Sequence, residues 1–505
     1  MPARSPSPEI PAEGSETGKA LSYPRSSHPE TAPRKNRPMR LVKTAPALLA
    51  LGLLACSQHG GEPESPAGRR PNVVLIMADD LGAETLACYR NTAYSTPRLD
   101  LMAREGARFE NAFATPVCSP TRAMILTGLH PSRTGILERL DSPDDTDRTN
   151  RLPVHLETFA HAFRNHGYAT AIAGKWHLGD FQAHPDQPES HGFDEHCLWV
   201  QYWDGERRSR YYAPHNWEDG EYRIHGQDTY GPDYYTDFLL GFMERNRDRP
   251  FLAYYPMNLV HGPLVPPPGL DGLAASRYPD DLGAAERKAG HMITYMDAIV
   301  GRLLDKIDGL GLAENTLVVF TGDNGTSTSL VSRLGDLSVR GGKRTMNEAG
   351  TRVPLIARWP GTVRPGVRDA LFSLLDMKPT LLSVAGIETD HPTDGMDLSH
   401  SLRGEPGVDR ENFYMSFEGD LHFVRNKWFR LHEDGRMYDV PVTSDESRYG
   451  MEPLPPEPRT SEARGRLQEL LDAYMRVRKT DESYSIVPFG TGGDVFRNAQ
   501  NPEGG

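Results

Sequence analysis

Residues 118–128 read CSPTRAMILTG, and the rest of the chain is organised around this stretch. Pro120 suits the first turn of a helix, and the small and apolar residues behind it predict a helix that begins near Cys118. Unpaired backbone N–H groups and the helix dipole make such an N-terminus favourable for an anion. Cys118 is therefore well placed for a nucleophile that attacks an anionic ester, although a buried structural thiol fits the same local pattern.

The overall composition is that of a globular protein. The 505 residues are 37% hydrophobic and 25% charged, and the formal net charge is −13. The length favours about two domains. The acidity argues against nucleic acid as a partner and is compatible with a bound divalent cation.

The first seventy residues are typical of an export segment rather than of a folded domain. Residues 39–43 carry two basic side chains, Arg40 and Lys43, and residues 45–55 form a short apolar run. The run ends LLACS, which resembles the lipobox of bacterial lipoproteins, where the cysteine, here Cys56, is lipidated. An ordinary signal peptide fits the same pattern. We expect a bacterial protein that is exported to the periplasm or anchored to the outer membrane, with residues 1–56 as its N-terminal extension and residues 57–70 as a linker.

Four continuous apolar runs predict parallel strands that are buried on both faces. They occupy residues 71–77, 168–173, 251–257 and 316–321. The polar residues that follow these runs are, in chain order, Asp79 and Asp80, Lys175 and His177, His261, and Asp323 with Asn324. Open α/β sheets place their sites at the carboxyl ends of strands, so we expect these side chains to converge.

The residue types at these strand ends are suited to binding a metal and an anion. Alternation along an extended chain puts Lys175 and His177 on the same side, where both can face one anion. The carboxylate and amide oxygens favour Ca²⁺ or Mg²⁺ over Zn²⁺. We prefer Ca²⁺, one per chain, because it tolerates irregular coordination.

Six motifs in this order resemble the sulfatase family. They are DDLG at residues 79–82, Cys-x-Pro-x-Arg at 118–122, GKWHLG at 174–179, HGP at 261–263, GDNG at 322–325 and RGGKRTMNEAGTRVP at 340–354. Ala349 stands where the family commonly has glycine. The resemblance covers roughly residues 71–478. It implies the alkaline-phosphatase-like fold, an α/β structure whose central mixed, mostly parallel sheet is flanked by helices.

The resemblance also implies a sulfuric ester hydrolase in which a maturation enzyme converts Cys118 to formylglycine. One hydroxyl of the hydrated aldehyde would attack sulfur, with Asp323 as the candidate activator. The second hydroxyl, deprotonated with help from His177, would then expel sulfate. The metal ligands implied are Asp79, Asp80, Cys118, Asp323 and Asn324.

The remaining site residues take their roles from the same resemblance. Arg122 would face the modified residue and help to balance the negative charge of the metal ligands. Lys175 and Lys343 would bind the sulfuryl oxygens, and His261 would bind the substrate and protonate the leaving oxygen.

The rest of the chain predicts two folded parts and a tail. Residues 153–167 predict an amphipathic helix with Leu156 and Phe159 on its apolar face. Residues 71–400 would form the catalytic domain. Short alternating strands between 413 and 440 and a closing helix at 464–478 predict a small C-terminal α+β subdomain over residues 401–480, followed by a flexible tail at 481–505.

The expected partners are a sulfated small molecule or glycan and the maturation enzyme. The aromatic and basic residues between 199 and 215 fit a sugar-binding surface, which favours a carbohydrate sulfate over an aryl sulfate, and they fit a lid equally well. A phosphonate or phosphodiester hydrolase of the same fold is an alternative function. A non-catalytic lipid-anchored binding protein is another. Contact with a membrane is expected only through the lipid.

Overall fold

The computed structural model describes residues 70–140, 151–269, 278–279, 281–417, 421–440 and 458–480. The predictions about the N-terminal extension, Cys56, the linker and the tail after residue 480 lie outside these residues. Among the described helices, none is long and apolar enough to span a membrane.

The strands and helices are numbered in chain order. The strands are β1 (Asn72–Ala78), β2 (Ala107–Phe113), β3 (Ala169–Lys175), β4 (Glu195–Trp199), β5 (Tyr202–Trp203), β6 (Glu206–Arg207), β7 (His215–Glu218), β8 (Glu221–Ile224), β9 (Phe251–Pro256), β10 (Thr316–Gly322), β11 (Val331–Leu334), β12 (Leu337–Arg340), β13 (Leu355–Arg358), β14 (Gly366–Ser373), β15 (Asn412–Phe417), β16 (Leu421–Asn426), β17 (Phe429–His432) and β18 (Met437–Asp439). The helices are α1 (Pro97–Glu105), α2 (Cys118–Thr127), α3 (Pro131–Thr134), α4 (Phe159–Asn165), α5 (Gln187–Ser190), α6 (Gly231–Arg245), α7 (Ala284–Gly309), α8 (Glu348–Thr351), α9 (Met377–Val384), α10 (Ser399–Arg403) and α11 (Pro458–Thr480).

A ten-stranded mixed sheet forms the centre of the structure, in the order β14-β2-β13-β10-β1-β9-β3-β4-β7-β8. The five strands from β10 to β4 are parallel, whereas β13 and β7 pair antiparallel with their neighbours. The predicted fold class is therefore confirmed. The parallel order brings the carboxyl ends of β10, β1, β9 and β3 to one edge of the sheet.

Helices cover both faces of this sheet and create two apolar cores. Every residue of β1 is buried, and its side chains alternate between the two cores. Val73 and Leu75 pack with residues of α2, α4 and α9, whereas Val74 and Ile76 pack with residues of α1, α6 and α7. Burial on both faces explains why the strand reads as one continuous apolar run.

The small C-terminal sheet is antiparallel and runs in sequence order from β15 to β18. Tyr414 and Val424 pack against Leu467 and Leu471 of α11. Phe413, which precedes Tyr414 in β15, belongs to a separate apolar cluster that includes Phe113 at the end of β2. The predicted small sheet with a closing helix is confirmed.

The predicted helix over residues 153–167 is too long at its N-terminus. Helix α4 begins at Phe159, because Thr158 caps it and accepts a hydrogen bond from the backbone N–H of His161. Leu152 instead donates its backbone N–H to the carbonyl of Leu178, 2.9 Å away. A capping box therefore sets the helix start, and the apolar periodicity that continues upstream does not extend it.

Candidate active site

Helix α2 begins at Cys118 as expected, and its ten residues are all buried. The Cys118 Sγ atom lies 3.6 Å from Asp79 Oδ1 and 3.6 Å from Lys343 Nζ. Burial, reinforced by the charge of Asp323, raises the pKa of the Cys118 thiol to about 12. An unmodified Cys118 is thus a neutral thiol at neutral pH, which is a poor nucleophile.

Asp79 follows the end of β1 and is fully buried. Its carboxylate accepts hydrogen bonds from Lys175 Nζ at 2.9 and 3.1 Å and from Arg210 Nη1 at 3.3 Å. Burial by itself raises the pKa of Asp79, but the charges of Lys175 and its neighbours His261, Arg122 and Arg210 lower it well below its usual range. Asp79 is therefore a carboxylate at neutral pH.

Asp80 joins three segments of the site. Its Oδ1 accepts hydrogen bonds from Lys343 Nζ and from Asn324 Nδ2, the latter at 2.9 Å. Its Oδ2 lies 3.6 Å from His261 Nε2, and its backbone N–H donates to Asp323 Oδ1 at 3.0 Å. Asp80 has a φ of 60°, a conformation that aspartate tolerates better than most residues and that ends the strand at this edge.

Arg122 is buried and connects the ends of two strands, β10 and β3. Its Nε and Nη2 atoms donate to Asp323 Oδ2 at 3.2 and 2.7 Å, and its Nη1 donates to the carbonyl of Lys175 at 2.9 Å. Burial, followed by the charge of Asp79, raises the pKa of Asp323 to about 6. Arg122 therefore pairs chiefly with Asp323, at 2.7 Å, and lies 3.8 Å from Asp79.

His261 lies beside Asp80 with a defined tautomer. Its Nδ1 is 2.7 Å from the carbonyl of Gly262, so Nδ1–H donates and Nε2 faces the carboxylate. Burial lowers the pKa of His261 to about 4, although Asp80 and Asp79 oppose this change. The imidazole is therefore neutral before an anion arrives, and a bound anion would favour its protonation.

His177 is the predicted residue whose geometry differs from the expectation. Strand β3 ends at Lys175, and His177 has a φ of 62°. The alternation argument therefore applies to Lys175 but not to His177, because the chain leaves the extended conformation between them. His177 is buried, and its role in expelling sulfate stays a prediction.

Together these residues form what we term the catalytic cluster. Its members are Asp79, Asp80, Cys118, Arg122, Lys175, Arg210, His261, Asp323, Asn324 and Lys343. Nine of these ten were predicted from the sequence, because they lie at strand ends or in the recognised motifs. The cluster is a convergence of cations and carboxylates around one buried sulfur atom.

The catalytic cluster has a donor set that can hold a metal ion. Potential ligand atoms of Asp79, Asp80, Cys118 and His261 lie within 4.8 Å of one another. Asn324 Oδ1 is buried and has no hydrogen-bond partner among the described residues, which is costly unless an ion or water binds there. Asp323 is not in this group, and His261 is; the oxygens of Asp323 accept hydrogen bonds from the backbone N–H of Asp80 and from Arg122.

Two residues of this region were missed by the sequence analysis as site residues. Arg210 reaches Asp79 from the aromatic and basic segment at residues 199–215, whose lack of periodicity gave no reason to place this arginine beside the strand ends. Glu84 is buried, and its Oε1 accepts a hydrogen bond from Thr326 Oγ1 at 2.6 Å. Thr326 also accepts the N–H of Gly82 and, through its carbonyl, the N–H of Lys343, so Glu84 buttresses the loops of the cluster.

Cys88 and Cys197 are both free thiols in the structure. Cys197 lies in β4 within one of the two apolar cores, whereas Cys88 packs at the edge of the same core. The pairing that the sequence left open is therefore not formed.

Comparisons with known proteins give a consistent result. A family model described as Sulfatase matches residues 71–387. Arylsulfatase A of Homo sapiens is 35% identical over 70% of this chain and 73% of its own length. The N-acetylgalactosamine-6-O-sulfatase of Bacteroides thetaiotaomicron is 29% identical over 76% of this chain and 86% of its own. A protein solved in complex with its substrate D-glucosamine-2-N,6-O-disulfate matches with a TM-score of 0.65 at 23% identity, covering 83% of this chain and 100% of the other, which is a similarity of fold.

Proposed function

This chain belongs to the sulfatase family and is a sulfuric ester hydrolase, and from that premise we propose that it hydrolyses a carbohydrate sulfate through a formylglycine made from Cys118 and a bound Ca²⁺. The single observation that carries the proposal is the position of Cys118. The sulfur lies at the buried start of α2 between a carboxylate and an ammonium group, each 3.6 Å away.

The neutral state of the Cys118 thiol supports conversion to formylglycine. A thiol whose pKa is raised to about 12 has little thiolate with which to attack an ester. Formylglycine would supply an aldehyde hydrate, whose hydroxyl groups serve first as nucleophile and then as the means of releasing sulfate.

The cation would be held by Asp79, Asp80 and Asn324, with Asp323 and the modified residue beside them. Oxygen ligands favour Ca²⁺ or Mg²⁺, and the mixture of carboxylates and an amide suits the irregular coordination of Ca²⁺. When bound, Ca²⁺ supplies positive charge that polarises the sulfuryl group and lowers the pKa of a nearby hydroxyl.

Lys175, Lys343 and His261 would bind the substrate and transfer a proton to the leaving group. Lys175 Nζ contacts Asp79, and Lys343 Nζ contacts Asp80. A sulfate ester bound between the two lysines would also interact with their ammonium groups, which would stabilise the charge on its oxygens. His261 has Nε2 directed into the cluster, and the anionic substrate favours its protonation there. The protonated Nε2 would then donate to the leaving alcohol oxygen.

A carbohydrate substrate is supported by the curated relatives and by one segment of this chain. The Bacteroides relative is named for N-acetylgalactosamine 6-O-sulfate. Trp199 lies at the end of β4 with its indole ring against Arg210, within the catalytic cluster. Trp199 is itself buried, so it positions Arg210, and the guanidinium is the group that can bind an anionic sugar.

We further propose that the protein is exported and lipidated at Cys56. The proposal is supported by the apolar run and the LLACS ending, which lie outside the described residues. Metabolic labelling with a fatty acid tests it: the label should be lost in Cys56→Ala. Labelling that persists in this variant would refute lipidation at that residue.

The catalytic proposal is tested by mass and activity on protein made in a host that matures sulfatases. The peptide carrying Cys118 should be lighter by about 18 Da, the difference between cysteine and formylglycine. The same sample should release inorganic sulfate from sulfated sugars, and chelation of Ca²⁺ should stop it until Ca²⁺ is restored. A full-mass thiol in active protein would overturn the proposal.

The alternative of a phosphonate or phosphodiester hydrolase is decided by the same preparation. Rates on matched sulfate and phosphate esters of one leaving group should favour the sulfate. A higher kcat/KM on the phosphate diester would support the alternative.

A further inference from the structure

Arg210 is a buried cation with most of its hydrogen-bonding capacity unused. Its side chain is 3% exposed. Within the described part of the chain, Asp79 is the only acceptor of an Arg210 hydrogen bond, at 3.3 Å. A guanidinium group carries five N–H donors, so most of them have no protein partner. Its Nε and Nη2 atoms have no partner among the described residues and keep a small exposure to solvent, so the spare donors are open to a ligand.

The position of Arg210 is fixed from three sides. Its guanidinium carbon lies 4.5 Å from the ring centroid of Trp199, whose indole N–H donates to the carbonyl of Ser209 at 2.9 Å. The next residue, Tyr211, donates its hydroxyl to the carbonyls of Asn258 and His261. Arg210 is therefore held rigidly next to His261 and is not a mobile surface cation.

The excess of positive charge in the site also favours an additional anion at Arg210. Four permanent cations face three carboxylates in the catalytic cluster. Lys175 already contacts both oxygens of Asp79, so Arg210 is not required to neutralise that carboxylate. Burying an additional arginine is costly unless a further anionic oxygen pairs with it.

We propose that Arg210 is a substrate-binding residue that donates its free N–H groups to anionic oxygens of the substrate. This inference rests on the proposed function and goes beyond it, because Arg210 belongs to none of the motifs that identify the family. The oxygens are either those of the scissile sulfate itself or those of a second sulfate or carboxylate beside it on the sugar.

The test compares Arg210→Met with Arg247→Met, a matched change at an exposed arginine after α6 and outside residues 199–215. Each mature, Ca²⁺-loaded protein is assayed on 4-methylumbelliferyl sulfate and on a glucosamine disulfate, and its affinity for inorganic sulfate is measured by calorimetry. We expect Arg210→Met to lower kcat/KM by about 10- to 100-fold, the range for a hydrogen bond to a charged group, while Arg247→Met stays near wild type.

The two sources of the anionic oxygens give different patterns. If Arg210 binds the scissile sulfate, both substrates and inorganic sulfate lose affinity or rate to a similar extent. If it binds a second anionic group, the disulfate loses kcat/KM while the aryl sulfate and inorganic sulfate do not.

Ca²⁺ affinity separates substrate binding from a structural role. Removing a cation next to Asp79 should leave Ca²⁺ binding unchanged or make it tighter, because a repulsive charge is lost. Arg210→Lys keeps the charge without the planar fork and should recover part of the loss, which also guards against misfolding of the methionine variant.

Two results would overturn the inference. One is an Arg210→Met protein that matches Arg247→Met in sulfate affinity and on both substrates. The other is a parallel loss of Ca²⁺ affinity, which would show that Arg210 only supports Asp79. A wild-type protein that cleaves neither ester would instead refute the proposed function, and its affinity for inorganic sulfate would still test Arg210.

Discussion

One loop supplies charge to two buried clusters that serve different ends. Lys343 points into the catalytic cluster, whereas Glu348, five residues later, pairs with Arg425 at 2.6 Å and Arg430 at 3.4 Å. We term these last three residues the Glu348 cluster. It ties the loop to β16 and β17 of the small sheet.

The two clusters differ in access. In the Glu348 cluster all three side chains are 2–3% exposed, and the guanidinium carbon of Arg425 lies 3.9 Å from the ring centroid of Phe113. In the catalytic cluster the side chains of Lys343 and His261 are 17% and 24% exposed, and Asn324 Oδ1 has no partner among the described residues. A buried charge cluster is therefore suited to binding when it has an opening and unpaired donors or acceptors, and to stability when aromatic rings cover it.

The largest expected effect is that of Cys118→Ser, which tests whether turnover requires the residue at the centre of the catalytic cluster. Serine has one hydroxyl, so it can accept a sulfuryl group but has no second hydroxyl to expel it. Steady-state sulfate release should fall by at least about 10⁴-fold. Intact mass after incubation with substrate should show at most one added sulfuryl group. Sustained multiple turnover would contradict the proposed chemistry.

Glu348→Gln tests the other side of the comparison. Removing the carboxylate takes away an anion that pairs with two buried arginines, which should lower the free energy of unfolding by about 3–5 kcal/mol. Urea unfolding measures this loss. The double variant with Arg425→Met should recover part of the stability, because one of the two buried positive charges is removed with the carboxylate. A single variant as stable as wild type would mean that the cluster is structurally neutral.

A matched pair of cation removals sharpens the distinction. Lys343→Met should lower kcat/KM by about 100-fold, because an ammonium that binds a sulfuryl oxygen is lost, while the Tm with Ca²⁺ present stays close to that of wild type. Arg425→Met should lower the Tm and leave kcat/KM of the folded protein within about threefold. If both variants lose activity and stability in the same proportion, the two clusters are not functionally distinct.

The smallest effect concerns a neutral polar group outside both clusters. His161 accepts the backbone N–H of Thr158 at Nδ1 and lies 2.8 Å from the carbonyl of Ser190 at Nε2, so only its neutral form satisfies both contacts. Burial lowers the pKa of His161 to about 4, whereas an unfolded histidine titrates near 6.5. The unfolded chain therefore binds more protons between these values, and stability falls as the pH drops from about 6.5 towards 4.

The measurement for His161 is the Tm at pH 7, 6 and 5 for wild type and His161→Gln. Glutamine can also accept at this position of a capping box but does not titrate. The wild type should lose about 1 °C more than the variant over this range. Parallel curves would show that His161 does not contribute to the acid sensitivity.

Most of the catalytic cluster could be predicted because its residues sit at the ends of buried strands. The apolar runs before Asp79, Lys175, His261 and Asp323 are long enough to indicate parallel strands, and parallel strands bring their carboxyl ends to one edge. The helix start at Cys118 followed from Pro120 in the same way. Local periodicity failed at α4 and at His177, where a capping box and a positive φ overrode it.

The sequence by itself determined the fold class, the family and the order of the residues that converge on Cys118, because strand periodicity and motif spacing are local properties of the chain. Only the tertiary structure decided which buried charges meet. It placed Arg210 on Asp79 from 131 residues away and closed Glu348 against two arginines of the small sheet. The strength of an ion pair depends on distance and burial in three dimensions, and no local pattern carries either quantity.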